Sequence, residues 1–126
     1  RGWGSGVMSI GLTDSGYNNA IGWASNSPAE TELRGIYRVG NVQTYLGIST
    51  PINTECKILI KWGNGTAKFF KNGSLHDSSS VTNFTGQPLE DFELPRSARN
   101  GDFQTKQALI FPTALTDAEC IALTTL

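Results

Sequence analysis

Cys56-Lys57-Ile58-Leu59-Ile60-Lys61-Trp62-Gly63-Asn64-Gly65-Thr66-Ala67-Lys68-Phe69-Phe70-Lys71-Asn72-Gly73-Ser74-Leu75-His76 carries the plainest structural pattern in the chain. Cys56, Ile58, Ile60 and Trp62 alternate with Lys57, Leu59 and Lys61, and a period of two puts the first set on one face of a strand. The other face is mostly wet. Gly63-Asn64-Gly65 supplies residues that tolerate positive φ, Thr66 to Lys71 forms the return strand, and Asn72-Gly73 turns it into Ser74-Leu75-His76. Two successive hairpins predict a three-stranded meander.

Working outward, Val7 to Leu12, Asn19 to Trp23, Thr31 to Tyr37 and Val42 to Ile48 read as four more strands. They are separated by Asp14-Ser15-Gly16, Ser25-Asn26-Ser27-Pro28 and Gly40-Asn41. Downstream, Phe92 to Leu94 is a short strand, and Gln107 to Phe111 is apolar without alternation, the pattern of a strand buried on both faces. Pro112 ends it. Thr116, with Glu119 three positions on, forms a capping pair that opens a short helix. Ala118, Ile121 and Ala122 share one side of it, so the helix is expected to lie against the sheets as a terminal latch. The fold class that follows is all-β, an antiparallel two-sheet sandwich of jelly-roll type with a short C-terminal α-helix.

Composition narrows the function. The 126 residues suit one ordinary domain, and with 38% apolar and 17% charged residues the chain is neither a charged tail nor a membrane protein. No apolar stretch approaches the roughly 20 residues of a spanning helix. A formal net charge of −1 without a basic block lacks the electrostatic footprint of a nucleic-acid binder. The two cysteines, Cys56 and Cys120, each sit in an apolar pattern and read as buried thiols rather than a disulfide framework. The chain opens at Arg1 without an initiator Met or a signal-like segment, which reads as a fragment, a processed product or one domain of a longer polypeptide.

Three further stretches work as a set: Thr50-Pro51-Ile52-Asn53, Lys57 to Trp62, and Ala67 to Gly73. With the ending Gln104-Thr105-Lys106-Gln107, Phe111-Pro112-Thr113-Ala114-Leu115-Thr116-Asp117-Ala118-Glu119 and Leu123-Thr124, they resemble the concanavalin A-like, laminin-G-like sandwich modules of bacteriophage tail fibres and other virion proteins, especially of phages of Bacteroidota. The likeness spans Ile48 to Leu126, and departs from the family in placing Cys56 where an aromatic residue is usual. It implies a non-catalytic module on the virion surface that recognises host-cell carbohydrate, and a homo-oligomer, with a trimer favoured. The alternatives are a ligand-free structural or decoration domain touching other virion chains, or a secreted bacterial carbohydrate-binding or adhesion module. A glycoside hydrolase ranks last.

Glucan-cutting relatives of this class carry Glu-x-Asp-x-Glu on one strand face, whereas here Glu90-Asp91-Phe92-Glu93 puts Glu90 opposite Asp91 and Glu93, on a loop or edge strand bracketed by prolines. His76 is the only histidine, which removes multi-His zinc sites, and no nucleophile-elbow or phosphate-binding glycine pattern occurs. No cofactor is expected. Calcium, used by some laminin-G-like relatives, is the one ion to weigh, with Asp14, Asp77 and Asp102 as isolated loop acids. Asn64, Asn72 and Asn83 match the glycosylation acceptor pattern, but the first two sit at hairpin turns, and the turn reading is preferred.

Sugar recognition needs a flat aromatic face and planar amide, carboxylate or guanidinium groups. Trp3, Tyr17, Trp23, Tyr37 and Tyr45 can supply the first, and Asn18, Asn19, Arg34, Arg38, Arg96, Arg99, Asn100 and Asp102 the second. Trp62 and Phe69-Phe70 read as core. Trp23 shares a strand face with Asn19 and Ile21, which leaves core and ligand roles both open, and the Arg96 to Asp102 loop reads as a solvated connection as readily as a ligand loop. The candidate ligand set is Trp23, Tyr37, Arg96, Arg99, Asn100 and Asp102.

Overall fold

A computed structural model describes residues 9–14, 16, 18–25, 32–51, 55–84, 89–93 and 106–126, without the side chains of 9–10, 24–25, 32–33, 48–51 and 93. Eight strands and one helix follow in order: β1 (Ser9–Thr13), β2 (Ala20–Ser25), β3 (Glu32–Val39), β4 (Val42–Pro51), β5 (Ile58–Gly63), β6 (Thr66–Lys71), β7 (Ser74–Ser80), β8 (Asp91–Glu93) and α1 (Asp117–Thr124). All pairings are antiparallel, in a five-stranded sheet ordered β4-β3-β2-β1-β8 and a three-stranded sheet ordered β5-β6-β7. The expected all-β two-sheet sandwich with a short C-terminal helix is what forms.

Tight turns set the register. Asn64-Gly65, Asn72-Gly73 and Gly40-Asn41 each join paired strands through two residues of positive φ, the combination that matches the right-handed twist of a hairpin. Asn64 and Asn72 are therefore turn residues. The Asn72 side chain accepts the Lys57 N–H at 2.9 Å, and Asn83 accepts the Gly65 N–H at 2.7 Å, so these amides staple the hairpin ends.

The core lies between the sheets. Ile21, Tyr37 and Leu46 from the large sheet meet Ala67 and Phe69 from the small one, with Leu12, Trp23, Ile58, Ile60, Trp62 and Phe84 packed around them. Phe69 is the hub: Trp23 meets it edge-on at 6.3 Å, and a Cβ added to Gly35 would lie 2.8 Å from its ring. That glycine lets the strand backbone come down onto the phenyl. Fully burying a side chain of this size contributes roughly 1.5–3 kcal/mol, and Phe69 and Phe70 are both fully enclosed.

Phe70 points the other way, toward α1. The helix packs on the outer face of the small sheet, so the face carrying Leu59 and Lys61, expected to be mostly wet, is covered. The capping pair is present as expected: the Glu119 N–H donates to the Thr116 hydroxyl, and the Glu119 carboxylate accepts the Thr116 N–H at 2.7 Å. The buried helix face differs from the expected one. Cys120 and Thr124 are enclosed, while Ala118, Ile121 and Ala122 are exposed. Polar anchors set this rotation: Asp117 bridges Lys61 at 2.8 Å and Lys68 at 2.6 Å, and the Thr124 hydroxyl accepts the Gly73 N–H at 3.1 Å.

Two other expectations are corrected. Residues 107–111 pair with neither sheet, and Leu109, Ile110 and Phe111 are 61%, 57% and 41% exposed. The position beside β1 is taken by β8, and an apolar run without alternation does not reveal whether a ladder partner exists. Cys56 is half-buried rather than buried, because it precedes β5 instead of lying within it; Cys120 is enclosed as expected.

Candidate functional site

The β3–β4 hairpin builds the most chemically specialised surface among the described residues. Its Gly40-Asn41 turn pairs Val39 with Val42, so Arg38 stands opposite Gln43 and Ile36 opposite Tyr45. Alternation sends Tyr37 and Leu46 inward and presents Arg34, Arg38, Gln43 and Tyr45 on the outer face of the large sheet. Gly22 and Ala20 lie beside them on β2, and Ile36 between the two arginines is fully buried, as is Ala20, so the exposed part of this face is its β4 side at Tyr45.

On that face the Arg34 guanidinium lies 3.9 Å above the centre of the Tyr45 ring, and Tyr45 as a residue is 46% exposed. Stacking uses the flat face of the guanidinium and leaves its in-plane N–H donors directed sideways. Arg34 Nε is enclosed and has no hydrogen-bond partner among the described residues. The Nε of Arg38 is enclosed in the same way, but its Nη groups donate to Asn41 Oδ1 at 2.7 Å and, at the 3.5 Å limit of a hydrogen bond, to Gln43 Oε1.

A polar network anchors the end of this face. The Asp14 carboxylate, nearly buried, accepts the Asn18 N–H and the Asn19 side-chain amide, each at 2.8 Å. Asn19 in turn accepts the Gly40 N–H at 3.1 Å, while Asn41 donates to Asn18 Oδ1 at 2.8 Å. The β1–β2 loop and the β3–β4 turn are thereby tied together, and the loop acid weighed for calcium has both oxygens engaged by protein donors. Asp77 likewise accepts the Gly47 N–H at 2.6 Å and the Ser78 N–H at 2.8 Å. Among the described residues no group of three His, Cys, Asp or Glu gathers where a metal ion could be held.

The sequence-predicted candidates fare unequally. Tyr37 is corrected to a core residue: it is 2% exposed, stacks on Phe84 at 4.6 Å, and its hydroxyl donates to the Thr82 carbonyl at 2.9 Å. Burial holds its phenol above the ordinary tyrosine range. Trp23 points inward to Phe69 and is half-buried, so of its two open roles the packing one is realised; its indole N–H has no partner among the described residues. Arg96, Arg99, Asn100 and Asp102 lie outside the described residues, as does the whole of the Arg96 to Asp102 loop. Asp91 lies on β8, the edge strand expected of that acidic segment.

Arg34, Arg38, Tyr45, Asn18 and Asn19 were legible as residue types, but their convergence was not. The signal was in the register: a two-residue turn at Gly40-Asn41 places positions 34, 36 and 38 on the same face as 43 and 45. Comparison with protein-family models, with curated proteins and with solved structures gave no match.

Proposed function

We propose that this chain is a non-catalytic carbohydrate-recognition module displayed on the surface or tail fibre of a bacteriophage virion. The observation that carries the reading is the Arg34–Tyr45 stack, a guanidinium laid on a ring whose residue is 46% exposed, with the guanidinium and amides of Arg38, Gln43 and Asn41 on the same hairpin. Apolar C–H patches of a pyranose favour such flat surfaces, and planar donors and acceptors match its hydroxyls. The likeness of residues 48–126 to virion sandwich modules supports the setting, and an oligomeric fibre would multiply weak sites by avidity. Screening the purified, oligomer-checked protein against bacterial surface polysaccharides, with and without calcium, tests it. Saturable binding to one polysaccharide class is expected; silence from a folded, assembled sample would overturn it.

One observation favours a second reading, a connector that holds a neighbouring virion chain. Leu109, Ile110 and Phe111 form an exposed apolar run without a ladder, the kind of surface another polypeptide covers. Charged substitutions at Ile110 and Phe111 that abolish assembly while leaving glycan binding intact would assign the run to that role.

A further inference from the structure

The Asn-Gly tips of the small sheet carry the same local chemistry in unequal surroundings. In such a pair the backbone nitrogen of the glycine can add to Cγ of the asparagine, because the glycine has no Cβ to obstruct the approach. Asn64 and Asn72 are both exposed. At Asn72-Gly73 both reacting groups are held: Asn72 Oδ1 accepts the Lys57 N–H at 2.9 Å, and the Gly73 N–H donates to the Thr124 hydroxyl of α1 at 3.1 Å. At Asn64-Gly65 only the nitrogen is held. The Gly65 N–H donates to Asn83 Oδ1 at 2.7 Å, while the Asn64 side-chain amide has no partner among the described residues. Asn83 itself sits on a fixed segment. The Val81 N–H donates to the Gly65 carbonyl at 2.9 Å, the Thr82 carbonyl accepts the Tyr37 hydroxyl at 2.9 Å, and the Phe84 ring packs against Tyr37 and Trp62. Gly65 is thus gripped through its N–H and its carbonyl, and its nitrogen reaches Asn64 Cγ only by leaving Asn83.

We propose that Asn64 is a site of spontaneous conversion to aspartate and isoaspartate, restrained by Asn83, and that Asn72 is its protected counterpart. Solvent base removes the Gly65 amide proton and the nitrogen adds to Asn64 Cγ. The N–Cγ bond forms, the Cγ–Nδ2 bond breaks, and the departing nitrogen takes a proton from solvent and leaves as ammonia. Water then opens the cyclic imide. Cleavage of the new N–Cγ bond leaves aspartate, and cleavage between the same nitrogen and the main-chain carbonyl leaves isoaspartate. An N–H engaged by an acceptor is harder to deprotonate, and its bond must break before the ring can close. Either product adds one negative charge to a chain of formal net charge −1. Isoaspartate also lengthens the backbone inside a two-residue turn whose φ values of 50° and 73° close the β5–β6 hairpin, so it weakens the ladder at that end.

The experiment is incubation of the full chain at mildly alkaline pH, folded and in denaturant, with peptide mass spectrometry following conversion at each asparagine. Dividing each folded rate by the rate in denaturant removes the influence of neighbouring sequence. On that scale Asn64 is expected to convert faster than Asn72. Asn83→Ala, a change at an exposed residue, should raise the Asn64 rate about 2- to 10-fold, the equivalent of one hydrogen bond, and leave Asn72 unchanged. Asn83→Asp keeps an acceptor and should not raise it. Thr124→Val should do the reverse of Asn83→Ala, speeding Asn72 and sparing Asn64. Near-UV circular dichroism checks that each variant is folded. Conversion of Asn72 as fast as Asn64 in the folded protein would overturn the proposal, as would conversion at neither site while the denatured chain converts both. An Asn64 rate in Asn83→Ala no faster than the parent's, or a rise shared equally by Asn72, would overturn the restraint by Asn83.

Discussion

At Gly47 the two sheets are stitched together by a single backbone donor. The residue lies where β4 gains two residues relative to β3, and its φ of 71° is a conformation that L side chains rarely adopt. Its freed N–H donates to Asp77 on β7, and the His76 ring lies so close that an added Cβ would fall 2.5 Å from Cδ2. His76 is the extra residue of a bulge in β7, which turns its ring toward Phe69 at 5.2 Å. Gly47→Ala is expected to destabilise by about 1–3 kcal/mol through backbone strain and displacement of His76. In a His76→Ala background the same change should cost less, a coupling that denaturant melts of the four proteins would measure. Tyr37 is the second residue-scale test. Its phenol is held above the ordinary range by burial, so the unfolded chain releases that proton first, and the stability it contributes is present below about pH 10 and lost as pH rises further. Tyr37→Phe should cost about 1 kcal/mol at neutral pH, from the lost bond to Thr82, and give a shallower alkaline loss than the parent. Neither residue's role was legible beforehand, since a bulge and a tertiary hydrogen bond leave no mark in local periodicity.

The helix α1 shows how an element can be foreseen and its orientation missed. Thr116 and Glu119 announce its start, but the apolar positions Ala118, Ile121 and Ala122 gave way to a face set by ion pairs and a threonine hydroxyl. Eight residues with few large apolar side chains have little hydrophobic preference to impose, so Lys61 and Lys68 on the facing strands decide. Those lysines hold the Asp117 carboxyl below its usual range, and its contribution to docking is present at neutral pH and lost as pH falls through that lowered value. Asp117→Asn should therefore loosen the latch at pH 7. With Cys56→Ser as background, Cys120, enclosed beneath the helix, then becomes the reporter: thiol labelling is expected to quicken several-fold in the variant while the sheets stay folded. The meander from Ile58 to Ser80 was the most legible element, because alternation and Asn-Gly turns agreed there. Residues 107–111 were the least, because an unbroken apolar run is compatible with a paired strand, a covered loop or an open surface alike.

Over the whole molecule, the fold class followed from strand periodicity and turn chemistry, while the site depended on how separate strands are set side by side. The candidates in the Arg96 to Asp102 loop were chosen by residue type; the face actually described comes from cross-strand register, which joins residues of β3 and β4 that no linear motif connects. At one end of that face a hydrogen-bond network runs from Asp14 through Asn19 to the Gly40-Asn41 turn, and groups held in place before binding lower the ordering cost of a contact. The proposed function requires carbohydrate to bind on the outer surface of the five-stranded sheet. Backbone amide chemical-shift mapping during titration with a fragment of the polysaccharide that binds in the glycan screen tests this most directly. Shifts are expected to concentrate at Arg34, Ile36, Arg38, Gln43 and Tyr45, with α1 and β5–β7 unmoved; shifts confined to the helix side, or to residues 106–111, would overturn binding on this face.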